Sequence, residues 1–551
     1  MLPKPVTAQF RSQLFRYLDG IVTAPSADAL HQRGVTRYLL DHTEVTVGQL
    51  ATAFSANEGY LNVALRVLCA QGWLEQRTDL VTHEVTYSVN AASPIAFEMF
   101  DAYRDVVQMV QYGGQFHPRK FESQPFERWY GCTQAYRKHC GLALAPEQTV
   151  TRGIQDQILI HIEGLLVAPS FVHLGMTGMF HKYFMEASFR PDEFHKDPAS
   201  FTKMLDVFAE WGLFKRLKET FQFTEKGIFF AKRASAFGVT VSYLPTLRAL
   251  DELIFGNPLC LQSEPGQPEK HVDREMNVWG SGGAHATYFS KVDDIIIELF
   301  NRPIHEQPKG VLDMGCGNGA FLVHLYEVIA TRTARGRMLD EYPLFLIGAD
   351  FNQAALKVSR TKLIQSDIWA KVIWGDIGQP DLLAQDLQEH YDLDLKQILN
   401  VRTFLDHNRI WEEPSIEAPR GPAHSTGAFA YHGRRLPNDL VERSLLLHFK
   451  KWAPYVRTFG LLVIELHTIP PELTARNLGR TAATAYDATH GYSDQYILEV
   501  SEFLRLAREA GLEAQPQFQF KFPNSDVATV SINILKGAES AFDRQSEPRS
   551  A

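Results

Sequence analysis

The chain has 551 residues, of which 45% are hydrophobic and 22% charged, and a formal charge of −9; that length predicts about three domains. The balance is that of a soluble globular protein, and the acidic charge excludes the overall basic bias of a general nucleic-acid binder. Its five cysteines (Cys69, Cys132, Cys140, Cys260 and Cys316) form no C-x-x-C pair, which argues against a disulfide framework or structural zinc and predicts a reducing, cytoplasmic setting.

The first twenty residues, "MLPKPVTAQFRSQLFRYLDG", lack the apolar core of a signal peptide. The stretch "TVGQLATAFSANEGYLNVALRVLCAQGWLE" reads as helix, turn, second helix and wing. Its second helix, "LNVALRVLCAQGWLE" at 61–75, is echoed by "FTKMLDVFAEWGLFK" at 201–215, with Gly72 matching Gly212. A glycine at that place ends a helix in the left-handed conformation, and strand-like residues follow both copies. These features predict a winged-helix-like domain over 1–100 and a mainly helical lid region, with a second winged-helix-like echo, over 101–270. Such modules read DNA or serve dimerisation and substrate capping. The second helix offers mainly Asn62 and Arg66 toward a groove, so nucleic acid is not an expected partner, whereas a homodimer is.

No fold is assigned to the aromatic stretch that follows position 104. "ILIHIEGLLVAPSFVHLGM" carries His161, Glu163, Pro169 and His173; these are costly in lipid, so it reads as a buried helix and turn, with no membrane partner. "NPLCLQSEPGQPEK" at 257–270 reads as a linker. In "NVWGSGGAHATYFSKVDDIIIELF", Gly280, Gly282 and Gly283 predict a close-approach loop, with Asn277, Ser281, His285 and Tyr288 as polar groups for a lid. A plain helix-capping loop is the alternative.

From there strands and helices alternate through 537, which predicts an α/β, Rossmann-like doubly wound sheet over 271–537. The strands are "KGVLDMG", "LFLIGADF", "KVIWGDI", "LKQILNVRTFLDH" and "LLVIELHTI", closed by an antiparallel hairpin of "FQFKF" with "ATVSINILKG". Residues 538–551 read as a disordered tail.

The turn after the first strand, "DMGCGNG", sets Gly315, Gly317 and Gly319 behind Asp313. Glycines there admit positive φ and a close ligand, and the next helix aims its free N–H groups at it. Asp350 ends the second strand and can accept both hydroxyls of a ribose. Asp376 and Ile377, in "WGDI", stand where an adenine would lie. The D-x-G-x-G-x-G spacing differs from the dinucleotide G-x-G-x-x-G. On these residues the stretch 285–537 resembles a class I S-adenosylmethionine (SAM)-dependent methyltransferase. The resemblance implies SAM as cofactor, held by Asp313, Gly315, Gly317, Gly319, Asp350, Asp376 and Ile377.

After the fourth strand, Asp406 and His407 in "VRTFLDHNRIW" stand at the site edge as base, metal ligand or substrate contact; a helix cap is the bland alternative for Asp406. After the fifth, "THGYSDQY" sets His490 and Gln495 five apart. With "NVWGSGGAH", "LDH" and the long helical front end, that pair resembles the iron-dependent C-methyltransferase domains of polyketide-synthase loading modules, of the apratoxin starter-unit type. The resemblance implies that His490 and Gln495 bind Fe(II) or Mn(II), with Asp406 or His407 as catalytic base. The substrate implied is an α-carbon of a malonyl or acyl thioester on acyl carrier protein (ACP). Two alternatives stand beside it: an O-methyltransferase of a small-molecule acceptor with a His base and no metal, and a SAM-binding regulatory module without turnover.

Overall fold

The computed structural model describes residues 3–79, 81–110, 122–264, 267–415 and 422–537. The tail predicted at 538–551 lies outside them. The chain divides into two compact units that are not contiguous in sequence: Met1–Ala286 with Ala428–Leu436 and Ile469–Asp494, and Thr287–Gly427 with Pro437–Thr468 and Gln495–Ala551.

The first unit is mainly helical. Its long helices Lys4–Gln32 and Val150–Met176 pack closely because each meets the other at a glycine. A Cβ on Gly20 would lie 2.4 Å from the His161 backbone, and one on Gly164 2.7 Å from that of Tyr17. Val150–Met176 is long and apolar enough to cross a membrane, but 89% of its most apolar window is buried inside the protein. It runs through Pro169 without a break, so the turn expected there is absent.

Both echoed helices, Glu58–Ala70 and Pro198–Glu210, close alike. Gly72 and Gly212 have φ of +79° and +73°. The two N–H groups at each end bond back in the same pattern, Gly72 to Cys69 and Trp73 to Leu68, Gly212 to Ala209 and Leu213 to Phe208. A three-stranded antiparallel sheet from Glu44–Thr46, Val85–Ser88 and Glu75–Thr78 forms the first wing; Phe214–Leu217 with Thr220–Phe223 forms the second. Every residue from Gly59 to Ala70 is buried. Asn62 accepts from the Tyr87 hydroxyl at 2.7 Å and Arg66 pairs with Asp487 at 2.8 Å. Neither side chain is available to a DNA groove.

The stretch predicted as a glycine loop is helical throughout Arg274–Phe300. Gly280 serves a helix contact: a Cβ there would meet the Val239 backbone nitrogen at 2.5 Å and Gly238 at 2.6 Å. Asn277 donates to Ser242 Oγ at 3.0 Å. Gly283 and His285 lie outside the residues whose side chains are described. Tyr288 packs on the rings of Phe404 and Phe522.

The second unit is built on an eight-stranded sheet. In chain order its strands are β1 Gly310–Met314, β2 Phe345–Asp350, β3 Lys371–Trp374, β4 Ile398–Thr403, β5 Leu461–Leu466, β6 Leu512–Ala514, β7 Phe520–Phe522 and β8 Val530–Gly537. The order across it is β6-β8-β5-β4-β1-β2-β3, with β7 on β8. β1 to β5 are mutually parallel, while β8 runs antiparallel to β5, β6 and β7. Chain order reverses between β1 and β4, so the crevice at their carboxyl ends is the place for a ligand. All residues of β1 and β5 are buried, as expected of strands with helices on both faces.

Candidate functional site

The donor turn leaves β1 at Met314. Gly315, Gly317 and Gly319 have φ of +78°, +53° and +75°, a region open to glycine at little cost. They serve different ends. A Cβ on Gly315 would press on the Leu405 side chain at 3.0 Å, and one on Gly319 would sit 3.3 Å from Ser359. Around Gly317 the nearest atom is 3.9 Å away and belongs to the turn itself, so this glycine leaves room for a ligand. The turn is held from β2 and its helix: Asp350 Oδ2 accepts from Gly317 N–H at 3.0 Å, and Ser359 Oγ donates to the Gly317 carbonyl at 2.8 Å.

Asp313 is buried behind the turn. Burial, and then the charge of Asp350, push its carboxyl up to about 8. A cation placed beside it would favour its charged form. Asp350 also accepts from Asn352 N–H at 2.8 Å. Asp376 accepts from Gly378 N–H at 2.8 Å and the Gln379 amide at 2.9 Å, and so shapes the loop after β3. The Ile377 carbonyl accepts from the Trp452 indole at 2.7 Å. The seven residues expected to hold SAM thus all fall at the tips of β1, β2 and β3.

The loop after β4 carries two acid–base groups with different fates. Asp406 is fully buried; Arg402 Nη1 and His448 Nε2 approach its Oδ1 at 2.5 and 2.9 Å. Burial raises its pKa, but the Arg402 charge and the His448 hydrogen bond outweigh that and hold the carboxylate well below the usual range. Arg402 lies 4.0 Å over the Trp452 ring. Asp406 is therefore the acceptor of an internal ion pair and is poorly suited to take a proton. His448 stays neutral; burial, opposed by Asp406, lowers it to about 4.

His407, one residue on, is 5% exposed. Its Nδ1 meets Glu465 Oε1 at 2.5 Å, and its backbone N–H donates to Oε2 at 3.2 Å. A carboxylate only accepts, so the Glu465 contact favours the tautomer protonated at Nδ1. Leu405, which packs on Gly315, places this loop beside the donor turn. The expectations for this loop did not include Glu465. Its signal was one acid in the otherwise apolar buried strand "LLVIEL". Two residues on, His467 is structural: Nδ1 donates to the Leu498 carbonyl, Nε2 bonds Ser531, and burial lowers it to about 3.

His490 and Gln495, expected to bind metal, are both buried. The division between units falls between Asp494 and Gln495, so they belong to different units. In the first unit, His490 Nδ1 lies 2.8 Å from the Tyr486 carbonyl. A carbonyl only accepts, so Nδ1 carries a proton. Among the described residues the group of His, Cys, Asp or Glu close enough to share an ion is His424, Glu442 and Glu502. Arg505 donates to both glutamates at 2.9 and 2.7 Å and already supplies a positive charge there.

Three family models match the chain in order: an AprA N-terminal domain at residues 10–76, an AprA winged helix domain at 163–257 and an AprA MT2-like domain at 269–533. No curated protein matches it in sequence. Solved structures similar to it include the mitomycin 7-O-methyltransferase MmcR (13% identity, 70% of this chain and 98% of that one, TM-score 0.40). An O-methyltransferase family protein from Burkholderia thailandensis matches at 12% identity, over 67% of this chain and 94% of that one, with a TM-score of 0.38. The CurJ carbon methyltransferase matches at 11% identity, over 81% and 99%, with a TM-score of 0.32.

Proposed function

We propose that this chain, a class I SAM-dependent methyltransferase resembling AprA, methylates the α-carbon of a malonyl or acyl thioester carried on acyl carrier protein. The observation that carries the chemistry is the buried His407–Glu465 pair beside the donor turn. The thioester acceptor is supported by the resemblance to the loading-module C-methyltransferases.

The methyl of SAM sits on a sulfonium and needs no activation, so the protein's tasks are alignment and removal of one proton. Asp313 faces the donor's positive charge, and Asp350 and Asp376 hold its sugar and base. His407 Nε2 takes the α-proton and becomes an imidazolium, whose charge Glu465 compensates. The carbon left as carbanion or enolate attacks the methyl, the C–S bond breaks, and S-adenosylhomocysteine (SAH) leaves. The resemblance to the iron-dependent loading-module enzymes supports Fe(II) or Mn(II), which when bound would supply a Lewis acid for the enolate oxygen.

A second reading, O-methylation of a small hydroxylated acceptor, is favoured by the same His–Glu pair, since a hydroxyl needs a base and no Lewis acid. Incubation with SAM and malonyl-ACP, with and without Fe(II), followed by intact-protein mass, separates the two. A gain of one or two methyl masses that depends on metal supports C-methylation. No gain on the carrier, with methylation of a phenolic acceptor instead, favours the second reading.

A further inference from the structure

The loop that carries His407 begins at a strained residue. Phe404 still donates its N–H to the Ile464 carbonyl of β5 at 2.7 Å, but its φ is +55°, a region that a bulky side chain occupies at a cost. Such a conformation persists only where the surroundings impose it. Here the surroundings converge on Asp406. Its Oδ1 accepts from Arg402 Nη1 at 2.5 Å and from His448 Nε2 at 2.9 Å, and its carbonyl accepts from Arg409 Nη1 at 2.9 Å. Arg402 stands on β4 and His448 on the helix Asn438–Val456. The Val441 carbonyl of that helix accepts from Arg409 Nη2 at 3.3 Å. Asp406 is thus tied to a central strand and to a helix of 19 residues.

As a source of stability the Arg402–Asp406 pair is a poor one. Both side chains are fully buried, and Arg402 Nε and Nη2 and Asp406 Oδ2 have no hydrogen-bond partner among the described residues. Taking two charges out of water costs about what their attraction returns, and apolar side chains of the same volume fill a core as well or better. What the pair adds is direction, because a charge-assisted hydrogen bond fixes one atom against another. The residue so fixed lies between Leu405, which packs on Gly315 of the donor turn, and His407, whose ring meets Glu465. Trp452, on the same helix as His448, lies 4.0 Å from the Arg402 guanidinium and donates its indole N–H to the Ile377 carbonyl at 2.7 Å.

We propose that Asp406 is a positioning residue: held by Arg402 and His448, it sets the place of the His407 ring beside the donor turn; this rests on the base role of His407 proposed above. Glu465 orients the ring, and the Arg402–Asp406–His448 group holds the loop from which the ring projects. The two tasks are separable, because Glu465 lies on β5 and the group that holds Asp406 lies on β4 and the helix Asn438–Val456.

The test compares the full chain with three variants. Arg402→Met combined with Asp406→Leu replaces the pair by apolar side chains. Arg402→Lys keeps it, since a lysine supplies one donor to Oδ1 and a cation against the Trp452 ring. His407→Gln removes the base. Methyl transfer from labelled SAM is measured with Fe(II) on malonyl-ACP and on a simple phenol, and SAM binding by calorimetry. The expected result for the double variant is a kcat about thirtyfold lower or more, the size of effect that a displaced catalytic group produces. Its acceptor KM and SAM Kd stay within about threefold of the wild type, and Arg402→Lys recovers kcat to within about fivefold. Wild-type kcat in the double variant, with His407→Gln inactive, overturns the positioning role and leaves the base reading standing. An equal fall in Arg402→Lys and the double variant overturns it too, since the pair is then not what matters. Wild-type kcat in His407→Gln, or a wild type inert toward both acceptors, overturns the base reading and the proposal with it. If the double variant does not bind SAM, His448→Leu, which removes one donor to Asp406, takes its place: a fall of about fivefold is expected, and no fall overturns the proposal.

Discussion

At the scale of single residues, the proposed chemistry rests on two carboxylates and one histidine, each in a different environment. Glu465 is a positioning residue. Glu465→Gln is expected to lower kcat by about a hundredfold or more while leaving the Kd for SAM within a factor of two; a variant of full activity removes His407 from the base role. Asp313 gives a prediction whose sign depends on pH. Its folded pKa, about 8, lies above the ordinary 3.8, so between those values the folded state binds the extra proton. Stability from this group is present at low pH and declines as pH rises toward 8. Asp313→Asn should therefore match the wild type in thermal stability near pH 4 and exceed it progressively up to pH 8, without further divergence beyond. SAM, a cation, favours the ionised form, so its affinity for the wild type should rise over the same range with release of a proton. A pH-independent affinity, or a wild type more stable than the variant at pH 8, contradicts this placement of charge. Asp313 and Asp350 were legible because strand, turn and spacing announce them. Glu465 was not, since its partner lies 58 residues earlier in the chain.

At the scale of elements, glycine illustrates what spacing reveals and what it conceals. The D-x-G-x-G-x-G turn was legible because each glycine serves the turn in which it sits. The run at 280–283 read as a loop, yet it lies in a helix, and Gly280 answers to Gly238, 42 residues away in sequence. Close approach of two helices and close approach of a ligand ask for the same residue. The donor turn separates its own glycines: Gly319→Ala strains the backbone and presses on Ser359, so it should cost stability, whereas Gly317→Ala intrudes where the ligand goes. Calorimetry should show Gly317→Ala losing SAM at a melting temperature lowered by a few degrees at most; retention of SAM affinity removes Gly317 from the cofactor contact. The echoed helix Glu58–Ala70 yields a stability test. Arg66→Ala leaves Asp487 buried without its partner, at a cost of about 3–5 kcal/mol, measurable by denaturant unfolding; a change under about 1 kcal/mol shows that water replaces the pair.

At the scale of the whole molecule, the sequence suggests domains laid end to end, and the fold does not divide that way. Two segments of the C-terminal half, Ala428–Leu436 and Ile469–Asp494, belong to the first unit. The second echo at 201–215 falls within the winged helix match at 163–257. No local periodicity reports that 469–494 leaves the sheet and returns, because the residues that hold it, such as Arg66, are remote. A fragment cut at Ala286 keeps those segments without their partners, so it is expected to be poorly soluble; a soluble fragment that binds SAM contradicts the interleaved division. The account turns on where the methyl goes. Turnover of malonyl-ACP with SAM carrying an isotope-labelled methyl, followed by NMR of the released acyl group, tests this directly. The prediction is a labelled methyl bonded to the α-carbon, formed by the wild type and absent with His407→Gln. A labelled methyl on oxygen, or none with the carrier substrate while a hydroxylated acceptor is turned over, would contradict it.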